Sequence, residues 1–332
     1  MCLALAQGTC KRDFSKTFFV MSEPEISVII PTYNRSSLLR DAVNSVLEQD
    51  SGADYEIIVV DNNSKDDTPA VVQALRDQHP GRITYIVETQ QGNAHARNRG
   101  VKEARAKVIA FLDDDVTVES NWLTSLKNAL DTHEDLSFVG GKVLPQWTTP
   151  PPTWLTPEHW SPLAVLDYGP DELLISGNSP RGLLTANIAF RRAVFDEVGT
   201  FSPHLQRVKN AIGSMEDTEF LLRVCRSGKK GMYVPGMVAR APVDDERLSK
   251  EYHRRWHTGH GHFYAVMSDP EWERSSFRLA GVPGHLYKQT ASHALNWLTS
   301  TLTANADAAF THECRLRFFN GFFRQRRRQQ IS

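Results

Sequence analysis

Residues 107–119, KVIAFLDDDVTVE, decide how the rest of the chain is read. Val108, Ile109, Ala110, Phe111 and Leu112 form a short unbroken apolar run, which predicts one strand buried on both faces. The run stops at three carboxylates, Asp113, Asp114 and Asp115. Close like charges raise one another's proton affinity unless a cation lies between them. In an open α/β sheet, ligands bind beyond the C-terminal ends of the strands. If strand geometry persists, Asp113 and Asp115 point the same way and form a two-carboxylate clamp for a hard divalent cation, which takes oxygen ligands and substrate phosphates. The competing use is local: these acids, or Ser120, capping the helix of NWLTSL.

Upstream of this segment the chain alternates. Ile26 to Ile30 is a β-branched run stopped by Pro31 and followed by the loop PTYNR, with Thr32, Asn34 and Arg35. Leu38, Leu39, Ala42, Val43, Val46 and Leu47 then fall on one helix face. Residues 56–60 predict a second buried strand ending at Asp61, in the loop DNNSKDDT that also holds Asn63. Thr68 caps a helix with Pro69 at its first position, residues 83–87 form a third strand, and Gly92 opens a helix to Ala104. Downstream come a helix over 120–131 and a strand over 137–144.

Strict alternation predicts an α/β fold with a parallel sheet and helices on both faces. Right-handed crossovers put every loop that follows a strand on one edge. That rim suits a nucleoside diphosphate. Asp61 at a strand end can accept hydrogen bonds from a base or ribose, although DNNS is also a good turn on any fold. The amide end at Gly92 and the donor fork of Arg97 suit anionic oxygen, whereas a surface ion pair is the ordinary use of Arg97. No G-x-G-x-x-G follows the first strand and no G-x-x-x-x-G-K-[ST] occurs, so nicotinamide and P-loop chemistry are disfavoured.

Length allows one large or two small domains with a sizeable core. A formal net charge of −1 offers no argument for non-specific nucleic-acid binding. Cys2, Cys10, Cys225 and Cys314 make no metal-type pair, and a reduced, cytoplasmic compartment is the simplest expectation. No apolar run reaches the roughly 18–20 residues that span a bilayer, and the start of the chain lacks signal-peptide features. Residues 1–22 are expected to be an extension outside the folded domain.

Four segments in order, VIIPTYNR, IIVVDNNSKDDT, GNAHARNRG and FLDDDV, resemble a family 2 glycosyltransferase. The resemblance covers roughly residues 25–265 and implies the GT-A fold, with a Rossmann-like, mainly parallel central sheet and here a C-terminal helical extension. It implies an inverting transfer from a nucleoside-diphosphate sugar, most often UDP-linked, with Mg²⁺ or Mn²⁺ as cofactor. Carried over by position, the nucleotide-binding set is Pro31, Thr32, Asn34, Arg35, Asp61, Asn63, Gly92, Arg97, Asp113 and Asp114. Asp115 would ligate the metal, and Asp113, the second member of the metal set, would lie by ribose or metal-bound water.

Beyond residue 144 the chain turns rich in proline and carries Trp147, Trp154 and Trp160. Prolines predict a structured loop, and exposed indole rings give flat apolar faces for sugar C–H groups. Ordinary core packing is the alternative for each ring. GLLTANIAFR, residues 182–191, predicts an acceptor-side strand, and its Asn187 matches a family position. In SMEDTEFLLRVCRSG, Ser214 is a plausible cap, and Glu216 and Asp217 fall in the first turn. Such acids are also plain helix chemistry. The resemblance makes Asp217 the catalytic base and Glu216 its supporting acid. Many relatives carry a metal-ligating His where this chain has Ala241. His253, His257, His260 and His262 follow nearby, as ligands or as polar helix-face residues.

These readings divide the chain into a nucleotide-binding half, 23–144, an acceptor half, 145–245, and a helical region, 246–332. The last ends in RLRFFNGFFRQRRR, whose Phe and Arg residues suit an anionic lipid interface; a solvated end or a partner helix are the alternatives. The expected acceptor is a saccharide or lipid-linked saccharide in bacterial surface-polysaccharide synthesis, handled in the cytoplasm or at the inner face of its membrane. A sugar nucleotidyltransferase and a non-catalytic nucleotide-sugar-binding subunit are the rival readings.

Overall fold

The computed structural model describes residues 23–178, 180–206 and 212–331; the expected N-terminal extension, with Cys2 and Cys10, lies outside them. The chain runs β1 (Ile26–Thr32), α1 (Ser36–Leu47), β2 (Tyr55–Asp61), α2 (Thr68–Gln78), β3 (Ile83–Val87), α3 (Asn93–Glu103), β4 (Val108–Phe111), β5 (Thr117–Val118), α4 (Trp122–Thr132) and β6 (Phe138–Trp147). It continues through β7 (Leu173–Ile175), β8 (Ile188–Arg191), α5 (Ala193–Val198), α6 (Glu216–Arg226) and β9 (Gly231–Val243). The C-terminal region comprises α7 (Lys250–Met267), the short hairpin β10 (Arg278–Leu279) and β11 (Val282–Pro283), α8 (Gly284–Leu302) and α9 (Ala306–Ile331).

The sheet order is β3-β2-β1-β4-β8-β6-β9-β5, with β7 on the flank of β9. β1, β2, β3 and β4 run parallel to one another. The loops after β1, β2, β3 and β4 therefore open on one edge, where the candidate residues sit. β8 enters antiparallel between β4 and β6, and β6 and β9 pair in parallel. Every residue of β1 and β2 is buried, as expected for strands covered on both faces. Their alternation divides the core. Val28 and Ile30 pack with Leu39, Val43, Val72 and Trp122 on the side of α1, α2 and α4. Ile29 packs with Ala94, Phe195 and Phe220 on the side of α3, α5 and α6. The second layer centres on Phe111, Phe190, Phe195, Phe201 and Phe220, with Phe201 and Phe220 ring centroids 4.6 Å apart.

Several expectations shift. Strand geometry does not persist beyond Phe111: the three aspartates enter a turn closed by Val116 N–H donating to Asp113 O at 3.2 Å. The strand expected over 137–144 runs on to Trp147, because Pro145, Gln146 and Trp147 stay in register with Ala241, Pro242 and Val243 of β9. The strand expected over 182–191 begins only at Ile188, since Thr185–Asn187 forms a 3₁₀ turn. Met215, not Ser214, holds the cap position of α6. Thr68 begins α2 rather than capping it; the Asp66 carboxylate accepts its N–H at 3.2 Å and its hydroxyl at 2.6 Å.

Ser249 caps α7, its hydroxyl accepting Tyr252 N–H at 3.2 Å. Gly261 lets α7 touch α9, since a Cβ there would collide with the Phe318 carbonyl. The aromatic residues of the tail correct the lipid-interface expectation. Phe318, Phe319 and Phe322 are buried against α7 and α8, with Phe323 packed beside them. Leu295, Leu298 and Leu302 of α8 are exposed instead. Among the described residues no helix is long and apolar enough to cross a membrane.

Candidate active site

The turn after β4 sends its carboxylates in different directions. Asp114 points inward and is 5 % exposed. It accepts the Thr32 hydroxyl at 2.7 Å and Arg35 Nη1 at 3.1 Å. Burial pushes its carboxyl up to about 6, against the opposing pull of Arg35. Asp115 accepts the same Nη1 at 2.6 Å. Its carboxyl is also raised, by burial and by the charge of Asp113. Asp113 and Asp115 therefore face each other's field across a turn rather than along a pleat, and Arg35 ties the first strand's loop to this segment.

Asp113 is held from the other side. Arg97, 2 % exposed on α3, donates Nη2 to Asp113 Oδ1 at 3.1 Å. Its Nη1 reaches Glu216 Oε1, also at 3.1 Å. Glu216 is buried at the start of α6, and its carboxyl is pushed up to about 7 by burial and by the Asp217 charge, with Arg97 opposing. Burial raises Asp217 as well, again opposed by Arg97. Asp217 Oδ1 accepts Thr218 N–H at 2.7 Å, and the charge of Asp113 acts on it. One guanidinium thus joins the aspartate turn to the Glu216–Asp217 pair.

At the neighbouring strand end, Asp61 accepts Ser64 N–H at 2.8 Å and the Tyr85 hydroxyl at 2.5 Å, and is 2 % exposed. Asn34 and Asn63 occupy the left-handed region, φ 53° and 67°, which Asn tolerates better than most residues. Asn34 laces the first two rim loops: its N–H donates to Ser64 Oγ at 3.0 Å and its Oδ1 accepts Lys65 N–H at 2.6 Å. Pro31 is internal to β1, opposite Val60. The start of α3 is occupied by protein groups. Gly92, at φ 137°, donates its N–H to Asn62 Oδ1 at 2.6 Å. Ala94 N–H donates to the buried carboxamide of Gln206 at 3.1 Å.

Three participants were missed in the sequence. Asn62 also donates to the carbonyls of Glu88 and Gln90, joining two rim loops. DNNS offers two adjacent Asn residues, and only the fold selects the inner one. Gln206 carries no local signal. Arg247 follows β9 in the run DDER, and its charge acts on Asp115. It donates Nη2 to Pro162 O at 3.2 Å, and among the described residues its buried Nε has no hydrogen-bond partner. Among the described residues no carboxylate lies within ion-pair distance of it. Basic residues just after a strand that ends at the rim are the signal that would have flagged it.

The remaining candidates are spread around the second half. Trp147, Trp154 and Trp160 are partly buried against the core. Trp154 also packs edge-on to His159, His253 and Phe310, tying the proline-rich loop to α7 and α9. Asn187 is fully buried. It accepts Trp122 Nε1–H at 2.7 Å and donates to the Lys142 and Met237 carbonyls at 2.7 and 2.8 Å, which locks β6, β9 and α4 together. Ala241 is buried in β9. His253 bonds the Arg247 carbonyl at 3.1 Å, and His260 stacks on Trp256 at 4.2 Å. Burial lowers His253 to about 4 and both His257 and His260 to about 3. His262 is lowered as well, again chiefly by burial. Among the described residues no three His, Cys, Asp or Glu side chains gather as a metal cage.

Comparison with known proteins identifies the family and the fold. The family model for "Glycosyl transferase family 2" matches residues 27–199, from β1 to just past α5. Glycosyltransferase AglE of Haloferax volcanii is 30 % identical over 185 residues, 55 % of this chain and 57 % of that protein. A Campylobacter jejuni protein, GalNAc(5)-diNAcBac-PP-undecaprenol beta-1,3-glucosyltransferase, is 43 % identical over 123 residues, 36 % of this chain and 38 % of its own length. The match thus spans about half or less of these relatives. Two solved structures share the fold across nearly the whole chain. The mannosyltransferase PcManGT from Pyrobaculum calidifontis, in complex with GDP-Man and Mn²⁺, superimposes with TM-score 0.58 at 18 % identity, covering 94 % of this chain and 88 % of that one. S. aureus TarS 1-349 in complex with UDP gives 0.53 at 17 % identity, covering 93 % and 92 %. With its central α/β sheet, its C-terminal helices and a family match over more than half its length, the chain belongs to glycosyl transferase family 2 and has the GT-A fold.

Proposed function

We propose that this chain is an inverting glycosyltransferase that moves a sugar from a nucleoside diphosphate, UDP foremost, to a hydroxyl of a saccharide or lipid-linked saccharide in surface-polysaccharide synthesis. The observation that carries the reading is Arg97, which holds Asp113 of the rim turn and Glu216 of the base element on one guanidinium. A site for displacement at an anomeric carbon needs that juxtaposition: diphosphate-holding groups on one side and a proton acceptor on the other. The relative named for an undecaprenol-linked substrate supports a lipid-linked acceptor, and the fold neighbour bound to UDP supports the donor class.

In this reading 23–144 binds the nucleotide, 145–245 receives the acceptor, and 246–332 braces the second half from the cytoplasmic side of a membrane. Asp61 and Thr32 line the nucleoside end, and Trp147, Trp154 and Trp160 lie on the acceptor side. Asp217 accepts the proton of the acceptor hydroxyl as its oxygen forms the new bond to the anomeric carbon. The bond from that carbon to the diphosphate oxygen breaks with its electron pair leaving on the diphosphate, and configuration inverts. Asp217 has a raised proton affinity, which suits a group that must hold a proton at neutral pH. Arg35 and Arg247 supply cationic charge near the leaving diphosphate.

The donor set fits Mg²⁺ or Mn²⁺. Asp113 and Asp115 are hard oxygen donors, the charge of Asp113 raises the Asp115 carboxyl, and such ions need few protein carboxylates when phosphate oxygens complete the shell. Those two residues would hold the ion, which when bound supplies positive charge to the diphosphate. The Mn²⁺ in the PcManGT complex supports the same choice.

The test is a panel of UDP-, GDP- and dTDP-sugars incubated with the full chain and Mg²⁺ or Mn²⁺. Slow metal-dependent release of one nucleoside diphosphate is expected. Pyrophosphate formed from a sugar phosphate and a nucleoside triphosphate would replace this reading with a nucleotidyltransferase. Tight donor binding with no turnover would leave a sensor.

A further inference from the structure

One face of α7 lies beside the proposed base and has no part in the chemistry proposed so far. His253, His257, His260 and Tyr264, spaced i, i+4, i+7 and i+11, share that face. Its near end is closed, because Trp154 and Phe310 pack on His253. Farther along, His257, His260 and Tyr264 are half-buried. Among the described residues, the imidazoles of His257 and His260 and the Tyr264 hydroxyl have no hydrogen-bond partner. The segment that leads into the base rests on the same stretch of helix. Gly259 admits the Ile212 carbonyl, which a Cβ there would strike, and Gly213 passes close to the His260 backbone. Met215, two residues before Asp217, shares with Phe263 an apolar cluster against which Tyr264 packs. Burial raises the Tyr264 phenol, and the charges of Asp269 and Asp217 add to the rise.

Arg315 completes the face from α9. It stands one turn after Thr311, whose hydroxyl meets Nε2 of His159 in the acceptor half at 3.3 Å. It stands one turn before Phe318, whose ring centroid is 5.5 Å from Tyr264 and 6.0 Å from His260. Neighbours at i−4 and i+3 share its side of the helix, and its charge reaches His257, His260 and Tyr264. Arg315 is exposed, and no carboxylate among the described residues pairs with it. Glu313 is engaged elsewhere, with Arg254 and Arg317.

We infer that this face of α7, with Arg315, is the acceptor subsite and that it takes a phosphorylated saccharide: His257, His260 and Tyr264 meet sugar hydroxyls, and Arg315 meets the phosphate. A neutral imidazole donates through one nitrogen and accepts at the other, and a phenol does both, as a sugar hydroxyl requires. Burial keeps His257 and His260 uncharged at neutral pH. A guanidinium with no anion of its own matches phosphate through a forked, charge-assisted contact. Asp217 and Arg315 carry opposite charge, so the acceptor lies with its reacting hydroxyl at the first and its phosphate at the second. The inference rests on the glycosyl-transfer reading and deepens it by naming the charge of the acceptor. It also moves acceptor contact from Trp154, which is engaged with His253 and Phe310, to the open stretch of α7 beyond them.

The test is calorimetric titration of the full chain, in excess UDP and Mg²⁺, with glucose 1-phosphate, farnesyl phosphate, glucuronic acid and glucose. Glucose 1-phosphate is expected to bind, and glucuronic acid and glucose to bind about tenfold more weakly or less. Arg315→Gln, at an exposed position, should weaken binding of both phosphates about tenfold, and Arg315→Lys should restore part of it. Tyr264→Phe should weaken glucose 1-phosphate and leave farnesyl phosphate as in wild type, since only the former offers sugar hydroxyls. Tighter binding of farnesyl phosphate than of glucose 1-phosphate would support a lipid carrier as the source of the phosphate, and the reverse order a free sugar phosphate. Wild type that binds neither phosphate, glucuronic acid that binds as well as they do, or an Arg315→Gln isotherm equal to wild type would overturn the inference. So would a Tyr264→Phe chain that binds glucose 1-phosphate unchanged. Arg315-dependent phosphate binding by a chain without donor turnover would support the subsite while sinking the catalytic reading; transfer whose acceptor KM ignores Arg315→Gln would do the reverse.

Discussion

Arg97 Nη1 and Glu216 Oε1 lie 3.1 Å apart with both side chains 3 % exposed, 119 positions apart in the chain. A buried ion pair is poor evidence for stability in itself, because desolvation offsets most of the attraction. Its consequence here is positional: α6 cannot leave α3 without stranding a charge, so Asp217 stays beside Asp113.

Arg97→Met should therefore cost about 3 kcal/mol or more at pH 8, where Glu216 is left charged and buried. The loss should shrink near pH 5, because Glu216, already raised to about 7, takes up a proton. Denaturant unfolding at the two pH values checks this. Pairing the change with Glu216→Gln should recover part of the stability but not the turnover.

Asp217→Asn keeps the shape and removes the proton acceptor. Turnover should fall by about 10²–10⁴, the usual contribution of a positioned base, while calorimetry shows nucleotide binding unchanged. Near-normal transfer would remove Asp217 from the role.

Asp115→Ala should abolish the metal dependence of donor binding without unfolding the chain. Titration of a UDP-sugar with and without Mn²⁺ decides it: two identical isotherms for the variant are expected, and a metal-enhanced one would count against the clamp.

Arg247→Ala should weaken nucleoside-diphosphate binding roughly tenfold, as loss of a charge-assisted contact does, and Arg247→Lys should restore part of it. The prediction rests on a cation near Asp115 that has no carboxylate partner among the described residues. Product inhibition by UDP is the readout.

Asp114 supplies a pH test of stability. Its folded carboxyl is raised from 3.8 to about 6, chiefly by burial. The folded state therefore binds the proton more tightly than the unfolded state. The associated stability is fully present below about pH 4 and is lost as pH rises through about 6. Asp114→Asn should gain on wild type between pH 4.5 and pH 8 by on the order of 2 kcal/mol, read from unfolding midpoints. A constant difference across that range would sink the assignment.

Much of the fold was legible in order. The β-branched runs at 26–30 and 56–60 are strands because such residues fit a sheet covered on both faces, and the apolar spacing over 38–47 needed no partner to be read as a helix face. The acids at strand ends were legible because a buried run that stops at charge marks an edge. Asn62, Gln206 and Arg247 were not, since nothing local tells one loop polar residue from the next.

Sequence by itself determined the alternation of strands and helices, the rim on which the loops open, and the residue types that meet there, because backbone propensity and burial periodicity act over a few neighbouring positions. Tertiary structure alone decided that Arg97 turns inward to join Asp113 and Glu216, that Asn187 locks the sheet, and that the phenylalanines of α9 are internal while the leucines of α8 face out. Those outcomes depend on which distant surface covers each side chain, and that is set by packing between elements far apart in the chain.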